Sequence, residues 1–179
     1  VRIDQQGKFS ALTLLRALNP EWGSDGQLLA LFYGVEKVVR PKKGSKAKFA
    51  SEIEGRLALE QIRDTRTGEE WVKSGQVITA EIAEHIAGSA LTELDLLVDP
   101  EDPLIINSLK EDTSSNHEEA LSAIYAKLRP GNPVQLEKAR ELLQDRFFNE
   151  ARYSLGKVGR FRISRKFRRP DEANNGPRT

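Results

Sequence analysis

Ser115 to Phe147 reads SNHEEALSAIYAKLRPGNPVQLEKARELLQDRF. Ser115 followed by Glu118 has the spacing of a capping box, and Ala120, Leu121, Ile124, Tyr125 and Leu128 fall on one helical face. Arg129-Pro130-Gly131-Asn132-Pro133 cannot continue that helix, because each proline lacks a backbone donor and restricts the residue before it. Leu136, Ala139, Leu143 and Phe147 then mark a second amphipathic helix. The stretch predicts a helical hairpin with a tight corner.

Working towards the N-terminus, Leu94–Val98 is apolar and β-permissive, and Pro100 and Pro103 break the chain after it. Thr79 is a good N-cap for a helix carrying Ile82, Ile86 and Ala87 and closing at Gly88. Residues 55–72 alternate around the turn Thr65-Arg66-Thr67-Gly68 and predict a hairpin. Lys37 to Lys48 holds five lysines with Pro41 and Gly44, which predicts an exposed basic loop. Two short helices open the chain, one capped by Ser10 and ended at Asn19-Pro20, the other starting near Ser24 and stopping at Gly34. Beyond the hairpin, Phe161 and Ile163 alternate with Arg160 and Arg162 in the manner of a half-buried strand, and 170–179 reads as a disordered tail. The expected fold is α+β: a helical frame over 1–169 with a terminal helical hairpin and an inserted small β-rich subdomain at 35–98.

Composition excludes several function classes. There is no Cys, and only His85 and His117 are present, so disulfides, thiol nucleophiles, iron–sulfur clusters and His-rich metal sites fall away. His117 reads as a first-turn helix residue and His85 as a partly exposed helix position. Adjacent carboxylates such as Glu69-Glu70 and Glu118-Glu119 point apart on a strand or helix, so acid–base catalysis by these pairs is not expected. No run approaches the roughly 18 apolar residues of a membrane helix, and no signal peptide is evident, which predicts a cytoplasmic protein without a membrane partner. Met is absent, an initiator included, so the molecule is expected to be a processed, truncated or excised piece of something longer.

The net charge of +1 conceals an asymmetry, since 49–145 carries 9 basic and 20 acidic residues and 146–179 carries 10 basic and 3 acidic. Clustered cations beside an acidic body predict a polyanion at one face. Arg129, Arg146, Arg152 and Arg160 surround the corner and the glycine-containing run Gly156-Lys157-Val158-Gly159, where rigid guanidinium groups reach phosphates or stack on bases. That run also has the form of the GxxG clamp used by KH domains on single strands, and a free-standing KH-like nucleic-acid module is one alternative. A protein-interaction domain with a merely solvated basic tail is another.

Motifs in order along the chain carry a resemblance. Val1-Arg2-Ile3-Asp4, Lys8-Phe9 and Leu12 to Leu18 come first. Ile106 to Leu109, Glu118 to Leu121, Ile124-Tyr125, Leu128 to Pro133, Arg146 to Asn149 and Arg152 to Arg160 follow. Together they resemble the lobe of the bacterial RNA polymerase β subunit. The match is close over 1–34 and 104–169 and looser over 56–88. The resemblance implies an internal fragment of a nucleotidyltransferase subunit, inactive alone, forming a wall of the cleft that holds downstream DNA and the transcription bubble. It implies that Asp4, Arg129 and Arg152 face the bubble and the non-template strand, with Lys157 and Arg160 as further DNA contacts. The catalytic magnesium is then expected on the β′ subunit, with no cofactor in this chain, and the expected partners are DNA, the β′ and α subunits and a sigma factor, in a nucleoid-associated setting. Gln5-Gln6-Gly7 stands where the family usually has a basic stretch, and Ser10 where it has proline, which removes positive charge near Asp4.

Overall fold

The computed structural model describes residues 1–167 apart from 6, 42–45, 99 and 153. These fall into two compact units, Val1–Leu136 and Glu137–Thr179, and the fold is α+β.

The first unit opens with α1 (Ala11–Leu18), whose N-cap Ser10 accepts from the Thr13 N–H. After the 3₁₀ turn Pro20–Trp22 comes α2 (Asp25–Phe32), started by a reciprocal capping box between Ser24 and Gln27. Then follow β1 (Val35–Val39), α3 (Lys46–Ile53), β2 (Leu57–Ala58), β3 (Ile62–Arg63), β4 (Glu70–Val72), α4 (Ala80–Gly88), β5 (Glu93–Leu97), α5 (Leu104–Glu111) and α6 (His117–Leu128). Strands β1, β5 and β2 form an antiparallel sheet in the order β1-β5-β2, and β3 pairs with β4 in a separate hairpin. The second unit contains α7 (Leu136–Phe147), which begins at its boundary, and α8 (Lys157–Phe167).

Two apolar clusters organise the first unit. Val38, Phe49, Ile53, Ala58, Ile78, Ile86 and Leu96 belong to one core that ties the sheet to α3 and α4. Leu29, Leu59, Leu97 and Ile106 form a second that joins α2, the sheet and α5. Gly75 sits at the edge of this second cluster with φ +71°, where a Cβ would meet Ile106 at 3.3 Å and Leu29 at 3.4 Å, so both backbone and space call for glycine. Helix α1 packs on α6, which buries Ala120, Leu121, Ile124 and Tyr125 as their spacing predicts.

At the α1 end of that packing lies a fully buried arginine. Arg16 Nη1 donates to the Gly23 carbonyl at 2.6 Å and to the Ser115 carbonyl at 3.3 Å, Nε to Asp112 at 3.3 Å, and Nη2 to Asp25. Asp112 in turn accepts from Thr13 Oγ1 and, at 3.0 Å, from Ser114 Oγ. His117 Nδ1–H donates to the Arg16 carbonyl at 2.6 Å, so side chain and main chain of one residue both bind the segment 112–117 that leads into α6.

The structure departs from the sequence reading in five places. The basic stretch 37–48 is not a loop over its described residues: Val35–Val39 is a strand and Lys46–Ile53 a helix. Its lysines obscured the pattern, in which Val38 alone of β1 points inward and Lys37 bridges to Glu93 and Asp95 on β5, a partner far away in sequence. The segment 35–98 therefore contains two helices as well as all five strands. Leu57 does not pair within the predicted hairpin; β2 joins β5, leaving β3 and β4 as the hairpin. The cap before α6 is shifted by one residue, with Asn116 accepting from Glu119 N–H and Glu119 accepting from Ser115 N–H. Residues 104–111 form α5, which sequence periodicity did not single out between two prolines and a polar run. Finally, the expected strand at Phe161–Ile163 is part of α8: with no strand beside it, a basic segment free of proline satisfies its backbone within itself. The tail 170–179 lies outside the described residues.

Two outcomes follow. Replacing Arg16 by Met should lower stability by about 3–5 kcal/mol, because Asp112 is left buried and unpaired; urea unfolding checks it. Asp64, in the β3–β4 turn, has its carboxyl held below the usual carboxylate range, first by the Arg66 N–H and then by Thr67. Its contribution is complete above the ordinary value of about 4 and disappears as pH falls through the lowered folded value, so NMR titration should find Asp64 protonating below that ordinary value.

Candidate nucleic-acid interface

Each residue singled out by sequence has a distinct structural setting. Arg129 is the C-cap of α6, and its N–H bonds the Tyr125 carbonyl at 2.8 Å. The Asn132 N–H returns to the Arg129 carbonyl at 3.3 Å, closing the corner, and Gly131 supplies the φ of +85° that the corner needs. Prolines on either side stiffen it. Arg129 is exposed, and among the described residues its guanidinium has no acceptor. A cation with no acceptor among the described residues, projecting from a rigid corner, is suited to an oxyanion.

Asp4 is placed differently. It is half-buried and forms an ion pair with Lys127 at 3.8 Å, in the last turn of α6 and two residues before Arg129. A carboxylate so held anchors the N-terminal segment to the end of α6. That segment is also closed by a bond from the Phe9 N–H to the Val1 carbonyl at 2.7 Å.

In the second unit, Arg152 follows α7 in a tight turn, where its N–H bonds the Asn149 carbonyl at 3.0 Å and Asn149 Oδ1 accepts from the Ala151 N–H at 3.0 Å. Its guanidinium reaches back to Asp145 at 2.6 Å while the side chain stays 71% exposed. Asn149 Nδ2 donates to the other oxygen of Asp145 at 2.7 Å. Tyr153, its neighbour in the motif, lies outside the described residues.

The Gly156–Gly159 run is the start of α8. The Arg160 N–H bonds the Gly156 carbonyl at 3.0 Å, Arg160 Nε donates to the Leu155 carbonyl at 2.9 Å, and Leu155 lies where a Cβ at Gly159 would come within 2.9 Å of it. A larger residue at Gly159 would displace the Leu155 side chain, and Arg160 is half-buried in holding the turn. Lys157 is exposed at the first helical position. Helix α8 carries Lys157, Arg160, Arg162, Arg165 and Lys166 with no acidic residue, and Phe161 and Val158 stand exposed among them.

Sequence reasoning missed the carboxylates that hold these cations. Asp145 and Asn149 are four apart at the end of a helix, a spacing visible in the sequence, whereas the Asp4–Lys127 pair joins residues far apart in the chain. Among the described residues no three His, Cys, Asp or Glu side chains are grouped to hold a metal ion, and no helix is long and apolar enough to cross a membrane.

A mixed α+β chain whose exposed arginines sit on a proline-glycine corner and beside a basic helix is matched by one family description. Residues 75–176 fit the model of RNA polymerase Rpb2, domain 2, and the chain belongs to that family. Among full-length proteins it is similar to the DNA-directed RNA polymerase subunit beta of Rhodopirellula baltica, 45% identical over 170 residues and 93% of this chain. It is also similar to the proteins of that name from Chlorobium chlorochromatii, 35% identical over 96% of the chain, and Leptospira biflexa, 30% identical over 93%. In each case the chain spans about 13% of the relative's length. The GxxG run therefore belongs to a polymerase domain. No strand among the described residues follows Leu97, which leaves no βααβ unit around it for a KH module.

Gly131→Ala should cost about 1–2 kcal/mol, since only glycine adopts a φ of +85° without strain. Thermal unfolding of the chain measures this. The loss should exceed that of Gly156→Ala, where a Cβ meets nothing within 4 Å and φ is not positive.

Proposed function

We propose that residues 1–169 act as the lobe of an RNA polymerase β subunit, forming one wall of the DNA cleft and contacting downstream duplex and the non-template strand. The observation that carries this reading is the pairing of family membership with two exposed, structurally supported arginines, Arg129 and Arg152. Arg129 supplies a guanidinium with no acceptor among the described residues, on a stiff corner. Arg152 supplies one held at its base by α7. Lys157 and the other cations of α8 add a sequence-independent attraction for phosphate. Asp4 acts indirectly, by fixing the end of α6 from which Arg129 projects. Arg160 combines its charge with holding the turn before α8.

The chain works within the whole enzyme. Nucleotidyl transfer, with the catalytic magnesium on β′, belongs to that assembly, and this chain contributes no catalytic residue or cofactor. Its partners are the β′ and α subunits, a sigma factor and DNA, in the cytoplasm at the nucleoid. The segment 35–98 is the part of the lobe available to sigma or regulators.

In polymerase reassembled with the full-length subunit, Arg152→Ala and Arg129→Ala should each shorten the lifetime of the open promoter complex, consistent with about 1–3 kcal/mol per engaged contact. Each should also reduce the salt dependence of DNA binding by about one counterion's worth. Unchanged lifetimes in correctly assembled enzyme would reject the assignment.

A further inference from the structure

The side chain of Arg152 is exposed yet tethered, and the tether is itself tethered. Asp145 Oδ2 forms an ion pair with Arg152 Nη1 at 2.6 Å, and its Oδ1 accepts from Asn149 Nδ2 at 2.7 Å. Asn149 then closes the intervening turn through its own side-chain oxygen to Ala151 and its carbonyl to Arg152. Both oxygens of the carboxylate are engaged, from the last turn of α7. An exposed ion pair adds little to stability, so this arrangement has more consequence for where the guanidinium points than for folding.

We propose that Asp145 is a positioning residue for nucleic-acid binding by Arg152. It holds Nη1 and leaves Nε and Nη2 to meet a phosphate of the opened strand. This rests on the reading of Arg152 as a strand contact given above. An arginine has many rotamers, and one that is oriented beforehand loses less entropy when it captures a ligand. The remaining guanidinium edge still offers the paired donors that fit a phosphate. Against this works the carboxylate's own charge, which repels the same phosphate. The two effects have opposite signs. The doubly anchored carboxylate and the closed turn favour the first, since a group serving only to neutralise Arg152 needs neither Asn149 nor a fixed rotamer.

The test is a double-mutant cycle in holoenzyme assembled with the full-length β subunit, reading open-complex lifetime on one promoter at fixed salt. Asp145→Ala should shorten the lifetime about two- to tenfold. The same change should have no effect in an Arg152→Ala background, and Asp145→Glu, which retains the charge, should recover much of the loss. An Asp145→Ala lifetime equal to or longer than wild type would overturn the proposal, the longer one identifying the carboxylate as a mask. An equal shortening with and without Arg152 would also overturn it, as a general defect of α7. If Arg152→Ala alone changes nothing, the strand-contact reading fails first and independently of Asp145.

Discussion

The first unit depends on the burial of one charge. Arg16 has no exposed surface, yet it emerges from α1, the first helix of the chain, and its four hydrogen bonds reach the loop before α2, the first residue of α2, and the segment between α5 and α6. Removing a guanidinium from water is costly, and the arrangement is stable only because its donors meet two carboxylates and two carbonyls in good geometry. That requirement brings residues nearly 100 positions apart into one place and sets how α6 lies on α1. Because Arg129 is the C-cap of α6, the position of the exposed cation is traceable to the buried one.

The two arginines at the proposed interface are presented by different means. Arg129 gains its rigidity from backbone restriction, with prolines and a positive-φ glycine limiting the corner while the side chain has no acceptor among the described residues. Arg152 stands on a less constrained turn and gains it from side-chain bonding to Asp145. Asp4 and Lys127 show a third device, in which a half-buried ion pair fixes the chain close to Arg129. In the proposed function such support matters, since each contact with DNA is weak and is useful only where it is already aimed.

Charge distribution along the chain gives the same division a larger scale. The acidic excess lies in 49–145 and the basic excess beyond 146. Some of these acidic residues pair with cations inside the first unit, as Glu70 does with Arg63 at 3.8 Å and Glu93 with Lys37 at 3.7 Å. Helix α8 itself contains no acidic residue, and among the described residues none of its cations forms an ion pair.

Local signals were legible wherever the physics is local. Ser10, Thr79, the apolar faces of α6 and α7, the Pro-Gly corner and the β-permissive run at Leu94 are read correctly because capping, periodicity and proline restriction act within a few residues. The ordered motifs from Val1 to Arg160 were enough to indicate the family. What only the tertiary structure decided were the features whose partner is distant. Whether Lys37 lies in a loop or a strand depends on Glu93 and Asp95, and β2 could join β5 rather than β3 only once the sheet existed. The alternation at Phe161 has no strand beside it, so helix is the way its backbone can bond. Arg16 reads as an ordinary helix cation until Asp25 and Asp112 surround it, because a charge in a buried site is stabilised by groups that no sequence window contains.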